Sequence, residues 1–425
     1  MPMKKALNLP HLIFYGIGMI LGAGIYSVIG KAAGVAQEGL WLSFLLAALC
    51  ASLTALSYAE LATMFPRTGG EYIYLKSIFP SLPYFALVCG SMMVFAGIST
   101  ATTVAIAFAG YLQQFAAVPM WATSAGLLGV FTLVNIAGIK ESSWVNIVFT
   151  LIELSGLILF IIVGTQSEKF GAALSEVRFD GAMISGAALV IFAYFGFENI
   201  VNLIEETKEP EEQLPKAIFI SVALSTVLYV LVSLAALALG TPQELGASDA
   251  PLSDVTRKTN PLVASALGGI AMFSTANTVL ISMLSTSRVI FSMAREKDLP
   301  GVFTKVSPKR ATPWVASIVV FGLALSLLPV GGIEVIASAS SFATMLAFSV
   351  INLALIHLRF VEPDKERPFK VPLSIGKFPV ITGLAAAVSI ALLFFFTKEV
   401  YLLGGFVFAV VSLLFLFRKY VQKKY

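Results

Sequence analysis

Long runs of apolar residues, separated by short polar segments, occupy the chain from about residue 12 to residue 417. A helix needs about 20 apolar residues to cross the hydrocarbon core of a bilayer. No charged residue occurs between Lys76 and Lys140, so that stretch must hold two such helices. The pattern predicts about twelve membrane spans, of which the third is long and the ninth short. In chain order, spans 1 to 12 are predicted at 12–30, 41–64, 83–112, 121–139, 142–164, 181–204, 216–239, 262–288, 314–330, 335–358, 378–397 and 401–417.

The composition agrees with this pattern, because only 12% of the 425 residues are charged and 58% are hydrophobic. Soluble globular domains carry about 25% charged residues. We therefore expect an all-α, polytopic membrane protein with little mass outside the bilayer.

Lys and Arg are unevenly distributed between alternate loops, and this bias sets the orientation of a membrane protein. Of the 28 Lys and Arg residues, 21 fall in the two tails and in the loops that follow even-numbered spans. The sequence therefore predicts cytoplasmic termini in a multi-pass protein of the cytoplasmic (plasma) membrane. The net charge of +4 then reflects topology, and no nucleic-acid partner is expected.

Span 1 contains a segment in which a helix opens easily. Gly22, Ala23, Gly24 and Ile25 place two glycines around a small residue, which lowers the cost of leaving helical geometry. The opened turn would present amide N–H groups at the end of a half-helix, which favours a carboxylate. Taken alone, the pattern is also typical of close packing between helices.

Span 6 carries a matching segment, FAYFGFE at 192–198. Gly196 permits an unwound turn whose carbonyl oxygens could hold an ammonium group, and the neighbouring aromatic rings could cover a ligand. Freed backbone groups are tolerated in lipid only where protein buries them or a ligand binds them. Because paired broken helices mark the substrate sites of transporters, the two segments indicate a transporter with a mid-membrane site at 22–25 and 193–197.

Glu153 and Glu198 are the ionisable residues that lie well inside predicted spans. A charge deep in the bilayer is costly and marks a functional site by default. Burial favours the protonated carboxyl, so either residue could carry a proton during a transport cycle. The alternative is a protonated carboxyl that only ties helices together. In span 8, Ser282, Ser285 and Thr286 could complete a cation site, although such hydroxyls often bond to carbonyls of their own helix.

The two broken spans start about 170 residues apart with an odd number of crossings between them, so they enter the membrane from opposite sides. This topology predicts an inverted repeat of five spans each, followed by two further spans. The expected division is an N-terminal tail at 1–11, repeats at 12–164 and 181–358, spans 11 and 12 at 378–417, and a C-terminal tail at 418–425.

Several motifs occur in a familiar order: GAGIY at 22–26, YAELATMFPRTGGEYIYL at 58–75, FGFE at 195–198, EETKEPEEQLPKAI at 205–218 and SRVIFSMAREKDLP at 287–300. In these motifs the chain resembles the amino acid–polyamine–organocation (APC) superfamily of permeases, over essentially its whole length. The resemblance implies a LeuT-type fold in which spans 1, 2, 6 and 7 rock against spans 3, 4, 8 and 9.

The resemblance also implies how a substrate would bind. The carboxylate would contact the opened backbone of span 1, the amino group would contact carbonyls of spans 1 and 6, and Phe192 would cover the ligand. Small, uncharged residues of spans 3, 6 and 8 would line the side-chain pocket, which favours neutral substrates. The implied substrate-binding residues are Met19, Ile20, Gly22, Ala23, Gly24, Ile25, Ala96, Gly97, Ala101, Phe192, Ala193, Tyr194, Phe195, Gly196 and Ser282.

Glu153 occupies what looks like the position at which several proton-coupled relatives carry a lysine. A carboxyl there could titrate a proton or bind a cation, so the resemblance leaves proton and sodium coupling open. Glu153 is expected to face spans 1 and 8 near Ser285 or Thr286, and Glu198 is the further coupling candidate.

The expected function is secondary active import of amino acids, mainly neutral ones, or of related amines, by alternating access with proton coupling. An amino acid exchanger or a sodium-coupled symporter is the alternative. A channel would need pore-lining rings or a repeated filter sequence, and no such sequence is visible. An enzyme would need a cluster of His, Asp or Cys, whereas the chain has two His and two Cys. No catalytic residue, cofactor or metal site is expected.

Overall fold

The structure is a computed structural model that describes residues 3–113, 116–171, 180–248, 250–330 and 333–424. Helices dominate the described residues, and their one sheet is a short antiparallel pair of strands, Ser374–Ile375 and Phe378–Pro379. The helices at spans 1 to 12 are Leu9–Ala36, Leu40–Met64, Pro83–Leu112, Met120–Ala137, Ile139–Thr165, the interrupted Gly181–Glu206, Pro210–Leu239, Pro261–Arg295, Trp314–Leu327, Ile333–Val361, Val380–Leu393 and Lys398–Lys424.

A helix therefore lies at each predicted span, but the helices are not equally able to cross a bilayer. Within the described ranges, nine of them, spans 1 to 8 and span 10, are long and apolar enough to do so alone. Span 9 has only 14 residues, and spans 11 and 12 form a pair bent by 110°. The chain is an all-α polytopic membrane protein, as the apolar pattern predicted.

Short helices lie in the loops between spans. Gly70–Ile78 follows span 2, and Pro242–Gly246 and Pro251–Arg257 connect spans 7 and 8. Short 3₁₀ helices, at Gln37–Gly39, Gly301–Thr304 and Leu328–Val330, complete the connections.

Span 8 lies at the centre of the bundle and packs against spans 1, 3 and 5. Small residues allow the helix backbones to approach closely, as is common where lipid gives no hydrophobic drive for helix association. A Cβ added at Gly97 of span 3 would lie 1.9 Å from Oγ1 of Thr286 in span 8. A Cβ at Gly164 of span 5 would lie 2.4 Å from that of Ala235 in span 7. Larger residues at these glycines would push the spans apart.

Both predicted helix breaks are present. Span 1 leaves helical geometry at Gly22, where φ is 25° and ψ is −157°. In span 6 the helix Gly181–Val190 continues as a 3₁₀ turn and then stops, because Phe195 is extended and Gly196 has a φ of 139°. A Cβ at Gly196 would lie 2.7 Å from Cγ of Met19, so both the conformation and the close contact with span 1 require glycine.

Loops that the sequence assigns to one side of the membrane meet at one end of the bundle. Arg67, after span 2, forms an ion pair with Glu296, after span 8. Oε1 of Glu141, after span 4, lies 3.1 Å from Nη1 of Arg310, which is also in the loop after span 8. These contacts group the loops as the predicted alternating topology requires.

Glu60 fastens the segment after span 10 to the end of span 2. Its carboxylate is fully buried and accepts hydrogen bonds from Arg359 Nε at 2.9 Å, Arg367 Nε at 3.1 Å and the backbone N–H of Val371 at 2.7 Å. The guanidinium groups of both arginines are nearly buried as well. One carboxylate therefore neutralises two cations away from water, which makes it hard to replace.

We expect Glu60→Gln to lower the free energy of unfolding by about 3–5 kcal/mol, because it leaves two buried arginines without a counter-charge. The measurement is the thermal unfolding of purified protein in detergent. Glu212→Gln is the control and should unfold like wild type, since Glu212 and its partner Lys216 are both exposed on the surface. Equal unfolding temperatures for the two variants would contradict a stabilising role for this clamp.

Candidate functional site

A cavity of about 270 Å³ lies between the two broken spans and spans 3, 8 and 10. This volume is slightly below the roughly 300–1,000 Å³ of typical small-molecule sites, which suits one small metabolite. Its lining mixes apolar side chains with hydroxyls and one carboxyl. The lining residues are Met19, Ile20, Gly24, Val28, Met93, Ala96, Gly97, Thr100, Thr103, Val104, Phe192, Ala193, Phe195, Glu198, Asn199, Asn202, Thr278, Ser282, Ser285, Thr286, Val289, Ala337, Ser340, Ser341 and Thr344.

Most residues singled out from the sequence are brought together around this cavity. The ones that line it are Met19, Ile20, Gly24, Ala96, Gly97, Phe192, Ala193, Phe195, Glu198, Ser282, Ser285 and Thr286. The ones that lie elsewhere are Gly22, Ile25, Ala101, Glu153, Tyr194 and Gly196. The side chain of Ala23 lies outside the part of the chain that the structure describes.

The residues outside the lining have identifiable surroundings. Ile25 is fully buried in the main apolar core, and Ala101 packs in a second apolar cluster with residues of spans 4, 8 and 9. Tyr194 turns away from the cavity and donates a hydrogen bond to the carbonyl of Phe44 at 3.1 Å. Gly22 and Gly196 form the backbone breaks and do not line the cavity.

Tyr229 of span 7 joins the two breaks. Its fully buried hydroxyl lies within hydrogen-bonding distance of the carbonyl oxygen of Ile20 in span 1 and 3.0 Å from that of Ala193 in span 6. A phenol has one proton, so it can donate to only one of these carbonyls at a time. The ring is held between Tyr194 and Phe44, each 5.2 Å away between centroids. Tyr229 thus fixes the two opened segments relative to each other.

Phe192 lies on the cavity wall and is partly buried. Its ring contacts Phe195 edge-on at 5.3 Å between centroids and Phe396, after span 11, at 5.5 Å. The ring therefore faces the bundle interior. This placement is compatible with the covering role expected for it.

Glu198 points into the opened turn of span 6. It accepts a hydrogen bond from the backbone N–H of Gly196 at 2.7 Å and one from the side chain of Asn199 at 3.0 Å. The carboxylate therefore satisfies an amide that the break releases. Its exposed fraction is only 4% although it borders the cavity.

Glu153 lies beside spans 1 and 8 but not beside the hydroxyls expected for it. Its partner is Ser274, which donates to one carboxylate oxygen, while the other oxygen has no hydrogen-bond partner among the described residues. Ser285 instead accepts from Asn202 at 2.9 Å, and Thr286 donates to its own helix. Ser274 precedes Ser285 by three helical turns, or roughly 16 Å. The expected proximity to Ser285 or Thr286 was wrong, because it assumed a different register between spans 5 and 8.

Ion pairs lie beyond the cavity at the end where the predicted cytoplasmic loops meet. Arg288 and Glu206 are both fully buried and bonded at 2.9 and 3.3 Å. Arg295 makes two bonds to Glu205, and Lys76 lies 2.8 Å from Asp298. These pairs join the ends of spans 6 and 8 to the helix 70–78. The pairs are concentrated at this end of the bundle.

Glu71, on the helix 70–78 outside the spans, is a buried carboxyl that the sequence did not single out. It accepts a hydrogen bond from Tyr58 at 2.7 Å, and its other oxygen has no partner within the described ranges. Burial raises the pKa of Glu71 to about 7, and the Tyr58 hydrogen bond opposes this only in part. Tyr58 in turn packs edge-on against Phe197, the residue before Glu198.

Other residues that sequence reasoning missed are Tyr229 and the hydroxyls of spans 3 and 10. Thr100 and Ser340 lie 2.7 Å apart although 240 residues separate them. The available signal was the frequency of hydroxyls in spans 3 and 10, but nothing in the sequence aligned the two spans. Among the described residues, no group of three or more His, Cys, Asp or Glu is placed to hold a metal ion.

The bundle of apolar helices, broken twice around a small cavity, has the architecture of a multi-pass membrane transporter. A family model described as amino acid permease matches residues 7–417. The chain belongs to this amino acid permease family.

Individual relatives agree with the family. The branched-chain amino acid permease BcaP of Bacillus subtilis (strain 168) is 32% identical over 408 residues, covering 90% of this chain and 86% of the relative. The methylthioribose transporter of the same strain is 29% identical over 413 residues, covering 91% and 87%. The mitochondrial cationic amino acid transporter 3 of Arabidopsis thaliana is 30% identical over 397 residues, covering 86% of this chain and 64% of the relative.

Tyr229→Phe removes the one donor shared by the broken spans, so we expect KM for amino acid uptake to rise about tenfold while the folded protein persists. Tyr194→Phe is the matched control. Tyr194 is also buried and packs against the ring of Tyr229, but its hydroxyl donates to a carbonyl of span 2 and not to the broken spans. The measurement is uptake by proteoliposomes, together with the unfolding temperature of each variant. Similar KM values for the two variants would show that Tyr229 is only a packing residue.

Proposed function

We propose that this permease is a secondary active transporter that imports amino acids, mainly neutral ones, by alternating access across the cytoplasmic membrane. The observation that carries the proposal is the cavity between the two broken spans, in a chain of the amino acid permease family. Broken helices in a bilayer require partners for their free backbone groups, and a zwitterionic amino acid supplies both a carboxylate and an ammonium group.

In this proposal the carboxylate binds the opened backbone of span 1 at residues 22–25, and the ammonium group binds carbonyls of spans 1 and 6. Tyr229 supports this placement, because it brings the carbonyls of Ile20 and Ala193 to one point and can donate to only one of them at a time. Phe192 would cover the bound substrate from the wall of the cavity.

Alternating access fits the distribution of ion pairs. The pairs Arg295–Glu205 and Lys76–Asp298 would close the cytoplasmic end in this state and would break when that end opens. We propose the same orientation as the charge bias predicts, with cytoplasmic termini. The inverted repeats at 12–164 and 181–358 belong to this proposal, since they provide two related halves that can rock around a central site.

A preference for neutral side chains is supported by the lining. The described lining residues include no Lys, Arg or His, and Glu198 is already bonded to the turn around it. The names of the relatives span branched-chain and cationic amino acids and a thio-sugar, so they support a small polar metabolite without selecting one.

The direct test is uptake of the twenty amino acids into proteoliposomes that contain the purified protein. We expect saturable uptake of several neutral amino acids, and none by Gly24→Val. Gly24 borders the cavity, and even a Cβ there would lie 3.5 Å from Cα of Ala193, so a branched side chain would fill the space for the substrate. Uptake that Gly24→Val leaves unchanged would place the substrate elsewhere.

Proton coupling through Glu153 is the coupling mode that we propose. Glu153 is fully buried, has a hydroxyl donor in Ser274 and carries one oxygen with no partner among the described residues, so it has room for a proton. Sodium coupling through the same carboxyl and amino acid exchange are the competing modes.

Glu153→Gln keeps the size and polarity of the side chain but cannot titrate. If loading requires the protonated carboxyl, wild-type uptake should fall as external pH rises, and this dependence should be flat in the variant. Counterflow with amino acid on both sides should persist, whereas accumulation driven by a pH gradient should be lost. Sodium-stimulated uptake that Gln abolishes would support sodium coupling, and unaltered pH profiles with no sodium effect would leave Glu153 a structural carboxyl.

A further inference from the structure

Spans 3 and 10 form part of the cavity wall, and this part is rich in hydroxyl groups. The wall hydroxyls are those of Thr100, Thr103, Ser340, Ser341 and Thr344. A hydroxyl has one proton to donate and two lone pairs to accept with. A hydroxyl whose proton is bonded within the protein offers only lone pairs to the cavity, whereas one with a free proton can also donate.

The protons of this wall are already used within the protein. Ser340 lies 2.9 Å from the carbonyl of Ala96 and 2.7 Å from Thr100, and both contacts are satisfied when Thr100 donates to Ser340 and Ser340 donates to the carbonyl. Thr344 donates to the carbonyl of Ser340 at 3.1 Å, and Thr103 donates to that of Ser99 at 2.8 Å. The remaining member of the set, Ser341, donates to the carbonyl of Ala337 at 3.3 Å. In this arrangement all five protons are used within the protein, and the five oxygens present lone pairs to the cavity.

We infer that spans 3 and 10 form a hydrogen-bond-accepting subsite for the substrate side chain, which selects neutral amino acids that carry an O–H or N–H donor. The inference rests on the proposed function, because it assumes that the α-carboxylate and ammonium groups bind at the broken spans across the cavity. From there the side chain extends toward Thr100 and Ser340.

The charges and hydrogen-bonding groups of this wall distinguish neutral donor-bearing side chains from acidic, cationic and aliphatic ones. A carboxylate side chain would meet lone pairs and no donor on this wall, so the wall disfavours acidic amino acids. A cationic side chain would find acceptors here but no counter-charge, because the one carboxyl among the described lining residues, Glu198, belongs to span 6 and already accepts hydrogen bonds from Gly196 and Asn199. A branched aliphatic side chain would cover these oxygens without bonding to them, which forfeits their hydrogen bonds to water.

The test compares ligands of nearly equal shape. Threonine and valine differ by a hydroxyl in place of a methyl group, and asparagine and leucine differ similarly by an amide. Dissociation constants are measured from thermal-shift titrations of the purified protein, since a ligand that binds the folded state raises its stability. We expect threonine to bind about tenfold more tightly than valine, and asparagine more tightly than leucine.

Thr100→Val and Ser340→Ala should reduce the threonine-to-valine ratio toward one while keeping valine binding. Thr102→Val is the matched control, because Thr102 lies on the same helix and donates to carbonyls of Ile98 and Ala324 away from the cavity. Its ratio should equal that of wild type.

Three results would overturn the inference while leaving the proposed function intact. These are valine binding as tightly as threonine, a cationic or acidic amino acid binding best, or an equal loss of selectivity in Thr100→Val and Thr102→Val. If none of the twenty amino acids shifts the unfolding temperature or is taken up, the proposed function fails and the subsite fails with it.

Discussion

The structure depends on how backbone polar groups are satisfied where two helices break inside a low-dielectric bundle. Each unpaired N–H or C=O in such a place costs several kcal/mol, so the breaks persist only with dedicated partners. Here the protein supplies both an acceptor and a donor. Glu198 accepts a hydrogen bond from the N–H of Gly196, and Tyr229 donates to the carbonyl of Ile20 or of Ala193. The single proton of Tyr229 can bond only one of these carbonyls at a time, and in the proposed function the ammonium group of the substrate would bond the other.

The cost of leaving a polar group unpaired also explains where the buried charged residues occur. Away from the cavity, the buried arginines are paired with carboxylates, as in Arg288 with Glu206 or Glu60 with its two arginines. Such pairs gain little net stability over apolar packing but are costly to break singly. They therefore favour discrete arrangements of the helices over gradual deformation. A set of pairs that link loops after spans 2, 6 and 8 is suited to a bundle that is either closed or open at this end.

The apolar pattern was sufficient to predict a helix at each span, nine of which can cross a bilayer alone within the described ranges, and the glycines predicted the positions of both breaks. It could not supply the relative register and rotation of the helices. Thr100 meets Ser340, and Glu153 meets Ser274 and not Ser285, because of packing between spans that are distant in sequence. In spans that are apolar on nearly every face, no amphipathic stripe indicates which side is inward. For the same reason Tyr229 looked like any of the chain's 12 tyrosines, and Ala101 was expected in a pocket that it does not line.

Three buried carboxyls differ in ways that bear on coupling. Glu198 is already bonded to the opened turn, and Glu153 lies off the cavity with one donor. Glu71 lies at the ion-paired end, where its raised pKa means that the charged form is disfavoured for as long as that end excludes water. Glu71 bonds to Tyr58, which packs against Phe197 in the broken part of span 6, so two contacts connect this carboxyl to the opened turn. In the proposed cycle, opening of the ion-paired end to water would favour the charged form of Glu71, so this end would respond to protons as well as the proposed site at Glu153.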